Sequence, residues 1–156
     1  RARGYDEELG TYTQAYGWRE LDASVLALAT SDIEPRDSPR LRGTIRMIQS
    51  ALGAGGPLLY RFRPEGEGAF LPCSFWVVRA LAAIGEVAEA REVMEQACSF
   101  ATDLGLFAEH LDPSTGEHMG NFPQAFTHAA LVDAAAALGK AEQLRATGTF
   151  RGSLHT

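Results

Sequence analysis

The sequence is short of cysteine, of clustered positive charge and of long apolar runs, and each shortage removes a class of function. Its 156 residues carry two cysteines, Cys73 and Cys98. Both sit inside helical patterns without metal-type spacing, so two buried thiols in a reducing compartment is the preferred reading, and a disulfide between neighbouring helices stays open. The net charge is −6, and the 14 Lys and Arg are scattered rather than gathered into a block. Neither a nucleic-acid footprint nor a polybasic membrane anchor is expected. The longest apolar stretches are broken by charge well short of the ~20 residues that a membrane span needs. No charged-then-apolar signal segment opens the chain, which gives a cytoplasmic expectation. The chain starts Arg1-Ala2-Arg3-Gly4 without an initiator Met, as a fragment or a processed product would.

What is present is helical. Leu21 to Ala29 is Ala/Leu-rich, with polar positions at Asp22 and Ser24. Ser38 to Leu52 opens on Ser38-Pro39, a cap followed by the residue best tolerated in a first turn. Its apolar positions Leu41, Ile45, Ile48 and Leu52 step by four, three and four, one face of a helix. Phe70 to Ile84 is apolar nearly all round and reads as a buried helix that Gly85 ends. Val87 to Phe100 is amphipathic, with Glu89, Arg91, Glu92 and Glu95 against Val87, Ala90, Met94 and Ala97. Phe122 to Leu138 is again almost wholly apolar, and Gly139 follows it. Only Tyr12 to Tyr16 and Leu58 to Phe62 suit short extended pieces.

The order is buried, amphipathic, buried, amphipathic, buried, and the buried segments share a lead-in. Gly10-Thr11-Tyr12, Gly68-Ala69-Phe70 and Gly120-Asn121-Phe122 each place a Gly two residues before an aromatic. The intervals of 58 and 52 residues suit one helical hairpin plus loops. Inner apolar helices alternating with outer amphipathic ones describe a ring of hairpins, an α/α toroid, preferred here over a compact bundle of five or six helices. About three hairpins are present, and a partial ring leaves apolar edges for another chain, a second copy or further sequence to cover.

Three loop stretches carry candidate chemistry, since sites concentrate on loops held by a rigid scaffold. In the first, Leu106 to Gly116, Glu109 lies between an apolar run and the Asp112-Pro113 turn. A carboxylate fixed there can deprotonate a water. On local chemistry alone, a surface glutamate beside a turn is the better reading. The second, Tyr60 to Phe70, interleaves Arg61, Arg63, Glu65 and Glu67 with aromatics and Gly, which suits sugar hydroxyls and ring faces as well as it suits a solvated loop. The third, Gly120 to His128, offers an aromatic wall and amide donors, and His128 is better read as a hydrogen-bonded core histidine than as a ligand. The four histidines, His110, His118, His128 and His155, share no helix face, so no metal or other cofactor is expected. No Ser-centred nucleophile elbow, phosphate loop or zinc signature occurs.

These stretches also carry a resemblance. Glu67-Gly68-Ala69-Phe70-Leu71-Pro72-Cys73-Ser74-Phe75-Trp76 resembles the EGAF-x-x-CSFW signature of glucoamylase-like and trehalase-like enzymes of glycoside hydrolase family 15. Leu106 to Asp112 is similar to the family segment bearing the general base, and Gly120 to His128 to the G-N-F-P-Q-A-F-[ST]-H stretch after it. Thr13-Gln14-Ala15-Tyr16 and Leu21-Asp22-Ala23-Ser24 resemble the hairpin upstream. The resemblance implies an (α/α)6 barrel whose C-terminal half is residues 1–142, with 143–156 as a tail. It implies hydrolysis of α-glucosidic bonds with inversion, in maltooligosaccharides, starch-like glucans or trehalose. Inversion takes two carboxyls roughly 6.5–9.5 Å apart, one acid and one base. Glu109 matches the base, Arg61 the substrate-binding arginine, and Glu67 and Phe126 further substrate-binding positions.

The departures shape the expectation. No segment matches the one that carries the family's general acid, and the N-terminal β-sandwich of the prokaryotic enzymes has no counterpart. The Arg61 to Glu67 loop is shorter than the family's, and His110 stands where an acidic or amide residue is common. This chain by itself is therefore expected to be inactive, with the missing N-terminal half of the barrel or a second copy as its partner. The competing reading is a non-catalytic helical-hairpin module that binds glycans or assembles with another chain.

Overall fold

The computed structural model describes residues 4–62 and 66–148. The candidate loop residues Arg63 and Glu65, the histidine His155 and most of the expected tail lie outside them. The fold is mostly helical. A 3-10 helix spans Ala23–Thr30, and four α-helices follow: Pro39–Ala51 (α1), Leu71–Ala83 (α2), Val87–Cys98 (α3) and Ala125–Ala146 (α4). Among the described residues there are also seven strands of two or three residues, the first two ahead of the 3-10 helix and the rest between helices: Tyr5–Asp6 (β1), Thr11–Tyr12 (β2), Gly53–Gly55 (β3), Leu58–Leu59 (β4), Ala69–Phe70 (β5), His110–Leu111 (β6) and His118–Met119 (β7). All pairings are antiparallel, β1 with β2, β3 with β4, and β5-β6-β7 as a three-stranded sheet.

The segment expected as the first apolar helix is a 3-10 helix, and its burial shows why. Ala23, Leu26 and Ala29 are the buried positions, a spacing of three that matches three residues per turn. Asp22 caps it by accepting a hydrogen bond from the Ser24 N–H at 2.7 Å. In α1, Leu41, Ile45 and Ile48 are fully buried, as their spacing predicts. Pro39 begins that helix, whereas the Ser38 hydroxyl makes no capping bond. The α2 helix ends before Gly85, which adopts φ +87° while the Glu86 N–H closes back on the Leu81 carbonyl at 3.0 Å.

The centre of the core is α2, packed against the 3-10 helix, α1, α3 and α4. Ten of its thirteen residues are buried. The outer face of α3 is tied to α1 by ion pairs, Glu86 to Arg42 and Glu89 to Arg46. The hydrogen bond from Arg46 holds the Glu89 carboxyl below its ordinary range. Both cysteines are free, and burial pushes both thiols up, Cys73 strongly.

The last helix differs most from expectation. It starts at Ala125 rather than Phe122, because the residue before Pro123 is steered away from helical backbone, and the Gln124 side chain caps it by accepting from the Phe126 N–H at 3.2 Å. It runs past Gly139 to Ala146 through Lys140, Ala141, Glu142, Gln143, Leu144 and Arg145, most of them strong helix formers. Residues 143–146 of the expected tail therefore continue α4. Nor is α4 buried all round: Thr127, Ala130, Ala134, Leu138 and Ala141 are covered on one face, while Val132 is 66% exposed on another. No helix among the described residues is long and apolar enough to cross a membrane.

Candidate active site

Glu109 is held from both sides of its backbone. Its N–H donates to the Asn121 carbonyl at 2.9 Å, and its carbonyl accepts from the Leu71 N–H, the first residue of α2, at 3.0 Å. The carboxylate is oriented as well. Its Oε2 accepts from the Asn121 side-chain amide at 2.8 Å and from the Asn121 N–H at 3.2 Å. Among the described residues Oε1 accepts no hydrogen bond. One oxygen is thus fixed while the other stays available to take a proton, and the side chain is half-buried rather than solvated like a turn glutamate.

Glycine makes this placement possible. Gly68 and Gly120 both have positive φ, +82° and +72°. A Cβ on Gly120 would lie 3.0 Å from Glu109 Oε2 and 3.1 Å from His110 Nδ1. A Cβ on Gly68 would lie 2.6 Å from the Leu111 carbonyl oxygen, inside the β5-β6 pairing. Gly68 thus lets the backbone pass close to the Leu111 carbonyl, and Gly120 leaves room for the Glu109 and His110 side chains.

An aromatic wall continues from there. Phe70 faces the His110 ring at 5.1 Å in the paired strands β5 and β6. Phe70, Trp76 and Phe126 form a triangle with ring centroids 6.0 to 6.3 Å apart. The Arg61 guanidinium lies 5.7 Å over the Trp76 ring. Its Nε donates to Asp22 Oδ1 at 3.3 Å. One run of contacts thus links Arg61 and Phe126 to the strand that begins just after Glu109. Glu67 stands apart, exposed in the loop leading into β5.

Asp22, Trp76, Phe70 and Asn121 belong to this site without having been singled out for roles. For Phe70, Trp76 and Asn121 the signal lay in the quoted motifs; Asp22 appeared as a polar helix position and within the stretch that resembles the upstream hairpin, with no role attached. His128 is a half-buried histidine whose Nδ1 donates to the Gln124 carbonyl at 2.7 Å. Among the described residues no group of three or more His, Cys, Asp or Glu is arranged to hold a metal ion. A cavity of about 530 Å³ lies to one side, lined by Gln14, Arg19, Glu20, Leu21, Ala51, Leu52 and Phe62. It does not include Glu109 and meets the site only through chain neighbours of Asp22 and Arg61.

Residues 82–136 match the family described as Glycosyl hydrolases family 15. A trehalase of Mycolicibacterium smegmatis is 45% identical over 150 residues, covering 91% of this chain and 22% of that protein. The chain belongs to glycosyl hydrolases family 15. Further proteins similar to it include a trehalase of Mycobacterium tuberculosis, 44% identical with coverage of 86% and 21%, and one of Thermoplasma volcanium, 33% identical with coverage of 89% and 23%. The chain spans about a fifth of the length of these curated relatives. Among solved structures, a wild-type glycosidase superposes with a TM-score of 0.75 at 20% identity, over 88% of this chain and 40% of that one. A glutamate-to-alanine variant of a glycosidase in complex with glucose gives the same TM-score at 19% identity. These likenesses establish a shared fold.

Proposed function

We propose that this family 15 chain is the base-bearing part of an inverting α-glucosidase that hydrolyses trehalose. The observation that carries the proposal is the Glu109 carboxylate, fixed at Oε2 by Asn121 and open at Oε1. In this reading Oε1 takes a proton from water as the water attacks the anomeric carbon. Arg61 and Glu67 grip the sugar hydroxyls, and the Phe126 ring lines the sugar face. The trehalase names of the relatives favour trehalose over maltooligosaccharides or starch-like glucans.

The chain acts here as half of an (α/α)6 barrel in the cytoplasm. The general acid comes from a segment outside these residues, and the exposed face of α4 supports packing against that remaining half or against a second copy. With one of two required carboxyls, the 156 residues alone are inactive. In the full-length protein, Glu109→Gln is expected to lower kcat for trehalose by about 10²–10⁴. Turnover within a few-fold of wild type would remove Glu109 from the base role. Hydrolysis by the isolated chain would overturn the half-barrel part of the proposal.

A further inference from the structure

We infer that Asp22 is a positioning residue: it holds Arg61 in place over Trp76, so that the guanidinium meets the substrate already ordered. The inference rests on Arg61 being a substrate contact, as proposed above. Asp22 is 4% exposed, and a carboxylate taken out of water must be paired and hydrogen-bonded. Its Oδ1 accepts from the Ser24 N–H at 2.7 Å and from Arg61 Nε at 3.3 Å. Capping alone does not call for a charge, since Ser, Thr or Asn caps a helix as well. The charge at position 22 matches the guanidinium.

Arg61 is fastened at two points, once to each of two neighbouring residues. Its carbonyl accepts from the Ala23 N–H at 2.7 Å, while its Nε is on Asp22. Trp76 lies under the guanidinium carbon and is wedged against Phe70 and Phe126. Among the described residues the two terminal nitrogens of Arg61 have no partner, and its side chain is 41% exposed. Those nitrogens are the donors left for a ligand. An arginine without Asp22 would lose rotamer freedom on binding, and that loss weakens binding without touching the chemical step.

The test is kinetic, in the full-length protein with trehalose. Asp22→Ser keeps a capping oxygen but is too short to reach Arg61. It is expected to raise KM about tenfold, the scale of a lost charged hydrogen bond, with kcat nearly unchanged. Asp22→Asn keeps shape and cap and loses only charge, and is expected to raise KM about threefold. On an Arg61→Ala background, Asp22→Ser should add nothing, because the two residues act as one. Unchanged KM in both Asp22 variants, with a clear rise for Arg61→Ala, overturns the positioning role and leaves the proposed activity standing. The same holds if the Asp22→Ser effect adds in full to that of Arg61→Ala. If Arg61→Ala leaves KM unchanged, the positioning role falls with the contact it serves, and Glu109→Gln still judges the activity separately. Should Asp22→Ser fail to fold, Asp22→Asn alone decides.

Discussion

Two helices of this protein, α2 and α4, have nearly the same kind of sequence and end up in different surroundings. Both follow a Gly-x-aromatic lead-in, both are dominated by apolar residues, and they pack on each other. Yet α2 buries ten of thirteen residues and α4 five of twenty-two. The difference is position. The α2 helix has the 3-10 helix, α1, α3 and α4 around it, whereas α4 meets chiefly α2 and α3. Apolar composition therefore states which surfaces favour leaving water, and the neighbours available decide which of them do.

The sharpest way to break this comparison is to truncate an aromatic in each helix. Phe75 is fully buried in α2 and Phe126 is 49% exposed in α4. Phe75→Ala is expected to destabilise the chain by about 3–5 kcal/mol. Phe126→Ala loses two half-exposed ring contacts and should cost less, about 1–2 kcal/mol, and in the full-length protein it should also raise KM. Urea unfolding measures both effects, and equal losses would mean that Phe126 is as enclosed as Phe75.

The two lead-in glycines sharpen the contrast. Gly68→Ala meets a backbone carbonyl in a strand pairing, so strain and overlap should together cost about 2–4 kcal/mol. Gly120→Ala meets the ends of the Glu109 and His110 side chains, which can move. It should cost about 1–2 kcal/mol in thermal melting, and its larger signature should be a fall in kcat as Glu109 is displaced. A Gly120→Ala enzyme with full turnover would show that the carboxylate does not need its present setting.

The smallest effect on stability is expected for Val132→Glu on the exposed face of α4, within about 0.5 kcal/mol. The same change should weaken any association through that face, read by sedimentation velocity. Association that is unaffected would place the contact elsewhere.

Much of this was legible in the residues. The four-three-four spacing of Leu41, Ile45, Ile48 and Leu52 specified the buried face of α1. The three repeated glycines all take positive φ, at Gly10, Gly68 and Gly120. The short strands were mostly not legible, because two residues are too few to show alternation. Nor was the pairing of Ala69 and Phe70 with Leu111 and His110, which joins segments some forty residues apart. The Asp22–Arg61 pair was hidden for the same reason, being 39 residues apart in sequence.

By itself the sequence determined the helical segments, the turns between them and the family. These depend on side-chain period, backbone freedom and ordered motifs, all of them local properties. Only the tertiary structure decided that α2 is enclosed while α4 keeps an open face. It likewise decided that Arg61 bonds to Asp22 and that Asn121 holds one carboxylate oxygen of Glu109. Burial and hydrogen-bond partnership depend on which distant segments meet, and no run of neighbouring residues records that.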